Sequence, residues 1–314
     1  MSNLMKKRIM IDIKQYQKSG LDECGIYLLA DDSNIAKAKA LIIGPKDTPY
    51  ENGFYFFDIE FPNNYPLYPP KVLFCTLDQC IRFNPNLYTN GKVCVSILGT
   101  WQGPGWTSCM TLNTVLLSIQ SLLNSNPIQN EPGWESENGI KSIEYNKIID
   151  YSNYSIAILK MMINTPKGFE GFKDIMNKHF LKNINIFYKH FNDSLQLNNK
   201  EIKSHIYSLR TVIRYDYLAV QFNKIEQQLR IKYKDIEMIK NQEEKKSNIL
   251  ESNLNPNTKP ESEINTIKKR KCPNKLSKNL PEGHIEKSEN DDKYWIVQKL
   301  NNGTHRWKFY SNKI

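Results

Sequence analysis

Hydrophobic and polar positions change their period several times along the chain, and each change marks an element. Over residues 4–18 (LMKKRIMIDIKQYQK), Leu4, Ile9, Ile13 and Tyr16 fall within one helical face and Ser19-Gly20 supplies a stop, so an amphipathic helix opens the chain. Runs rich in β-branched and aromatic residues follow at 25–30, 38–43, 54–61 and 71–76. In the third, Phe54, Phe56, Asp58 and Glu60 alternate with Tyr55, Phe57, Ile59 and Phe61. Turn-forming residues separate the runs, at Asp31-Asp32-Ser33, from Gly44-Pro45 to Asn52-Gly53, and from Pro62 to Pro70. This pattern predicts a meander of four antiparallel strands. Between Leu77 and Ser108 no period holds, and Asn, Pro, Gly and Trp accumulate. A long irregular stretch inside a domain is a place to look for function, and Cys94-Val95-Ser96-Ile97-Leu98 with Trp101 and Trp106 argue there for burial rather than disorder.

Helical spacing returns at Thr111, with Leu112, Val115, Leu116, Ile119, Leu122 and Leu123 on one stripe, and two more helices are predicted near 136–149 and 152–163. Residues 1–165 therefore read as one α+β domain of two layers, a four-stranded antiparallel meander flanked by helices. Residues 166–246 read as a helical extension. Phe169, Phe172, Ile175, Met176 and Phe180 mark one helix, and Leu218, Phe222, Ile225, Leu229, Ile236 and Ile239 mark a long second one. Lys232 interrupts that seam, which favours packing on the preceding domain over a coiled coil. Residues 247–292 lack apolar periodicity and are rich in Asn, Lys, Glu, Ser and Pro, the composition of a disordered linker. Residues 293–314 carry a small aromatic tail, Tyr294-Trp295-Ile296-Val297 with Trp307, Phe309 and Tyr310 around Asn302-Gly303, suited to a hairpin.

Charge refines this division. The 314 residues carry a net +10, but residues 1–165 hold 14 basic and 15 acidic side chains, against 29 and 18 in the remainder. The first domain is neutral, so the excess says nothing about its chemistry. A nucleic-acid reading rests only on the basic second half and the run Lys268-Lys269-Arg270-Lys271, and is disfavoured for that reason. No segment approaches the ~18 consecutive apolar residues of a spanning helix, and residues 1–10 hold no signal-peptide core. The expectation is an intracellular protein of cytoplasm or nucleus, without a membrane partner. Six cysteines are too sparse for a disulfide scaffold. With no Cys-x-x-Cys pair and no nearby histidine, a metal site is not expected either.

Cys94 stands at the end of a polar loop, just before a short apolar run. A nucleophilic cysteine normally has a base such as histidine, yet all five histidines (His179, His190, His205, His284, His305) lie beyond residue 178. A thiol that accepts an acyl group from an already activated thioester needs such a base less, because the attacking and leaving thiols are similarly basic.

The runs GPKDTPYENG (44–53), FPNNYPLYPPKVLFCT (61–76), FNPNLYTNGKVC (83–94) and LNTVLLSIQSLL (112–123) occur in an order and spacing that resemble ubiquitin-conjugating enzymes over residues 5–164. Asn84-Pro85-Asn86, GTWQGPGW (99–106) and NEPGWE (130–135) are similar to the large, extended subgroup of that family, which has Asn where most members have His before Pro-Asn. The resemblance implies the ubiquitin-conjugating-enzyme fold and a catalytic Cys94 that forms a thioester with ubiquitin and passes it to lysine. Asn86 would serve the oxyanion of the attack, hold the loop, or both. Asn84 and Pro85 would be structural. Glu131 is the match to the family's acidic residue that orients the incoming lysine, with a solvated loop carboxylate as its alternative. Implied partners are an activating enzyme, met by Lys6, Lys7 and Arg8, ligases, met by Leu67, and substrate proteins. No cofactor is implied, because ATP is consumed by the upstream activating enzyme. Ser96 stands where many members have Asp, and Thr107-Ser108-Cys109 replaces the usual Ser-Pro-Ala of a ligase-facing loop. A catalytically silent binding module of the same fold, or a conjugating enzyme for another ubiquitin-like modifier, are the competing readings.

Overall fold

Helix α1 (Asn3–Gln17) buries Met5, Ile9 and Asp12, with Ile13 and Tyr16 packed against the same core. These positions recur at three- and four-residue spacing. Leu4 lies off that stripe and is 79% exposed, so the predicted face turns by one residue. The computed structural model describes residues 3–78, 80–253, 280–282, 284–287, 294–300 and 304–309, with side chains undescribed at 236–253, 285–287, 294 and 309. It separates into two units, Met1–Gln242 and Glu243–Ile314.

Strands β1 (Ile26–Ala30), β2 (Lys37–Ile43), β3 (Phe54–Glu60) and β4 (Lys71–Phe74) form an antiparallel sheet in sequence order, as the pattern predicts. Register is set by pairs such as Leu41 with Phe56 and Ile59 with Val72. Because side chains alternate, β2 and β3 present two different faces. Ala38, Ala40, Ile42, Tyr55, Phe57 and Ile59 join a core with α1, α2 (Leu112–Gln120) and α3 (Ile140–Ser152). Leu41, Ile43, Phe54 and Phe56 face the other way, into a second core built by α4 (Lys173–Asp193) and α5 (Tyr215–Asn253). Phe172, Phe180, Phe187, Leu218 and Phe222 complete it. Fully burying each of Phe54 and Phe56 is worth about 1.5–3 kcal/mol. The extension thus closes the sheet's second face.

Two helices expected near 136–149 and 152–163 are one. After α3 the backbone stays helical at Asn153, passes through a π-helical stretch (Asn153–Lys160) and ends in one α turn (Met161–Ile163). Asn153 Oδ1 accepts from Tyr55 Oη at 2.7 Å and its Nδ2 donates to Glu51 O at 2.8 Å. A Cβ on Gly53 would lie 1.9 Å from Asn153 Oδ1, which is why that position is glycine.

Between α4 and α5 the extension also forms a hairpin, β5 (Glu201–Lys203) with β6 (Arg210–Val212), which helical periodicity did not predict. Helix α5 continues to Asn253, seven residues into the span read as a linker, and β7 (Ile285–Lys287) also falls in that span. Residues 254–279 lie outside the described residues. In the second unit β7, β8 (Tyr294–Lys299) and β9 (His305–Phe309) pair antiparallel, so the tail's hairpin gains a third strand. Val297 and Trp307 are buried there.

Candidate functional site

The segment 82–94 turns at Asn90-Gly91 and bridges back to β4, Lys92 pairing antiparallel with Leu73. Gly91 has φ 89°, in the left-handed region, and a Cβ there would sit 2.9 Å from Phe74 O. Glycine therefore lets Phe74 N donate to Gly91 O at 2.8 Å.

Asn84 is the hub of this loop and is fully buried. Its Nδ2 donates to Tyr50 Oη at 3.0 Å and Leu122 O at 2.7 Å. Its Oδ1 accepts from Asn86 N at 2.9 Å and from Asn130 Nδ2 at 3.4 Å. Tyr50 arrives from the 44–53 run and donates its phenol to Phe83 O at 2.7 Å. Burial pushes that phenol's pKa far up, so it stays a neutral donor. Pro85 O accepts from Arg82 Nη2 at 2.5 Å.

Asn86 and Cys94, eight residues apart, are joined in both directions. Cys94 N donates to Asn86 O at 2.8 Å, and Asn86 Nδ2 donates to Cys94 O at 2.7 Å. Asn86 Oδ1 is buried and has no hydrogen-bond partner among the described residues. Thr100 braces the far side, its hydroxyl accepting from Val95 N at 3.0 Å and donating toward Val93 O at 2.8 Å and Val95 O at 3.1 Å. Cys94 is buried, with 1% of its surface exposed. The other described cysteines are less enclosed: Cys24, Cys80 and Cys109 are exposed and Cys75 is intermediate. His179, His190 and His205 bond to Asn52, Asp150 and Glu144, residues outside the cysteine loop.

Glu131 is half-buried just after Asn130, and its Oε2 accepts from Tyr207 Oη at 2.5 Å. Arg82 lies between two rings, 3.8 Å from the Tyr88 centroid and 4.1 Å from that of Tyr207.

The residues assigned to partners separate. Lys6 and Lys7 are exposed on α1. Arg8 is turned inward: Nε pairs with buried Asp12 at 3.0 Å, Nη1 donates to Ser108 O at 2.7 Å, and Nη2 bonds to Met110 O. It ties α1 to the loop before α2 rather than presenting a free charge. Asp12 is the reason, since a buried carboxylate must be paired. Leu67 is 73% exposed beside exposed Tyr68. Trp106 Nε1 donates to Pro66 O at 2.7 Å, which fastens the 99–106 loop to the segment carrying Leu67.

Sequence reasoning missed Tyr50, Arg82, Thr100 and Tyr207. The first three lie in or beside runs that carried the resemblance, while Tyr207 sits in a segment without a motif.

A family model described as ubiquitin-conjugating enzyme matches residues 8–150. A Xenopus tropicalis protein named ubiquitin-conjugating enzyme E2 Z is 36% identical over 235 residues, 74% of this chain and 74% of that one. The Homo sapiens protein of the same name is 38% identical over 207 residues, 65% of this chain and 58% of its own length. Human BIRC6, named a dual E2 ubiquitin-conjugating enzyme/E3 ubiquitin-protein ligase, is 40% identical over 173 residues, 51% of this chain and 4% of that protein.

Proposed function

Because the chain belongs to the ubiquitin-conjugating enzyme family, we propose that it accepts activated ubiquitin as a thioester on Cys94 and transfers it to lysine amines of target proteins, alone or with a ligase. The observation that carries this reading is the reciprocal bonding of Asn86 and Cys94 on a loop hung from buried Asn84. Such a loop holds one cysteine in one place without a histidine.

In loading, the Cys94 thiolate attacks the thioester carbonyl of ubiquitin on the activating enzyme. A new C–S bond forms, the old one breaks, and the departing thiolate takes the charge, an exchange between similar thiols that is nearly isoenergetic. In transfer, a lysine amine attacks the Cys94 thioester. The C–N bond forms, the C–S bond breaks, Cys94 leaves as thiolate, and the amine's surplus proton passes to the nearest carboxylate or to water. Glu131 is the carboxylate assigned to orient that amine. Neither step asks this chain for a cofactor, since ATP is spent upstream.

Asn86 holds the Cys94 peptide with one Nδ2 hydrogen and has a second to offer, with Oδ1 unpaired among the described residues. The second hydrogen suits the oxyanion of the tetrahedral intermediate, where one donor is worth about 3 kcal/mol of barrier. Asn84 and Pro85 serve as scaffold. Lys6 and Lys7 are assigned to acidic groups of the activating enzyme and Leu67, with Tyr68, to ligases. Arg8 drops out of that set.

Incubation with ubiquitin-activating enzyme, ATP and ubiquitin tests the proposal on a non-reducing gel. A thiol-labile adduct is expected, converted by Cys94→Ser to a thiol-resistant oxyester; no adduct would sink it. Asn86→Ala leaves the backbone half of the pair in place, so loading should persist while transfer falls about a hundredfold. Equal loss of both steps would restrict Asn86 to holding the loop.

A further inference from the structure

We propose that Tyr207, carried by the accessory extension, is a positioning residue for the transfer step: its phenol fixes the Glu131 carboxylate while its ring clamps Arg82 at the start of the cysteine loop. This deepens the function proposed above and rests on its assignment of Glu131 to the incoming amine.

Tyr207 lies in the connection between β5 and β6, and the chain is forced to put it where it is. Tyr207 and Ser208 have φ 58° and 52°, in the left-handed region that non-glycine residues rarely occupy. Such a backbone persists only where its surroundings over-determine it. Here Ile206 and Leu209 are buried in the core shared with α1, α2 and α3. Ser204 N donates to Leu209 O at 2.9 Å, Ile206 N to Ser204 Oγ at 3.2 Å, and His205 Nδ1 meets Glu144 Oε2 at 2.5 Å. A connection of six residues is thus pinned from inside and from both sides.

Arg82 and Glu131 are thereby contacted by a residue from outside the 1–165 domain. The Tyr207 ring stands edge-on to Tyr145 at 6.2 Å, and Tyr145 Oη in turn donates to Arg82 O at 2.8 Å. Arg82 is held between Tyr207 and Tyr88 while it bonds Pro85 O, so Tyr207 touches the Asn84-Pro85-Asn86 turn through one intermediary. Its hydroxyl reaches Glu131 directly. Burial first, then the hydrogen bond to Glu131, pushes the phenol's pKa far above its ordinary value, which keeps it a neutral donor across physiological pH. A carboxylate that accepts one O–H on Oε2 keeps Oε1 for a second donor. A half-exposed glutamate without that bond loses its fixed rotamer, and orientation is what the transfer step asks of it.

The experiment uses the full chain charged with ubiquitin by activating enzyme and ATP, then discharged in single turnover onto free lysine over a range of concentrations. Tyr207→Phe keeps the ring on Arg82 and removes the O–H. The ratio of discharge to loading should fall about tenfold, chiefly through a higher half-saturating lysine concentration, the size expected for one hydrogen bond to a charged group. Glu131→Gln should also lower discharge, and Tyr207→Phe combined with Glu131→Gln should be no slower than Glu131→Gln alone. Tyr207→Phe discharging like wild type while Glu131→Gln is impaired would overturn the role of Tyr207 alone, as would two effects that multiply. Wild-type discharge by Glu131→Gln would overturn the assignment of Glu131 and this inference with it.

Discussion

Asn84→Ala removes the hub of the cysteine loop, and its cost can be worked bond by bond. Leu122 O keeps an acceptor role through Asn130 Nδ2 at 3.1 Å, and Tyr50 Oη keeps its bond to Phe83 O, so each of those losses is worth only about 0.5 kcal/mol. Asn86 N has no such reserve. Left buried without an acceptor, that N–H costs about 2 kcal/mol. The expected destabilisation is about 3 kcal/mol, which for a unit of this size lowers Tm by roughly 6–12 °C. Because Asn86 and Cys94 hang from this turn, ubiquitin loading and transfer should fall together. Asn84→His offers one donor and one acceptor and should lose less. Thermal unfolding by circular dichroism, with loading and lysine discharge measured on the same samples, reads all three quantities. A Tm within 2 °C of wild type, with both steps intact, would refute the hub.

Two further predictions concern the extension. His179 packs against Phe54 and bonds to Asn52 Oδ1 at 2.8 Å, and burial, helped by Lys182, lowers its pKa to about 4. Its unfolded value is higher, so between about pH 6.5 and 4 the unfolded chain binds the proton first and stability falls as pH falls. His179→Gln should flatten urea-unfolding stability across that window, and an unchanged slope would count against it. Truncation tests the shared core: a chain ending at residue 253 should fold and load ubiquitin, whereas one ending at residue 165 bares Leu41, Phe54 and Phe56 and should be recovered insoluble. Soluble, folded protein from the shorter chain would contradict the second core.

Runs of β-branched and aromatic residues between turn-forming segments placed all four strands of the meander, with period-two alternation explicit in β3. The same alternation held a further signal. Phe54 and Phe56 share a face with Asp58 and Glu60, and two large aromatics on an otherwise polar face call for a cover, which α4 and α5 supply. The π-helical join at Asn153 was not legible, since nothing in the spacing of 136–163 announces that the backbone stays helical there. At the candidate site, local motifs marked the loop of Asn84, Pro85, Asn86 and Cys94, whose hydrogen bonds tie it together. Arg8 reads from the sequence as a free charge because the burial of its partner Asp12, four residues on, is set by tertiary packing. Tyr207 was hidden for a related reason: it reaches Glu131 across 76 positions, from a hairpin within a segment read as helical.

Cys94, buried and held by Asn86, is the proposed acceptor in preference to the other five thiols of the chain. Two variants separate these directly. In one, Cys24, Cys75, Cys80, Cys109 and Cys272 are replaced by Ser and Cys94 is kept; in the other, Cys94→Ala leaves the remaining five. Intact-mass spectrometry after incubation with activating enzyme, ATP and ubiquitin should find one thiol-labile ubiquitin on the first and none on the second. An adduct on the Cys94→Ala chain, or its absence from the chain that keeps only Cys94, would contradict the account.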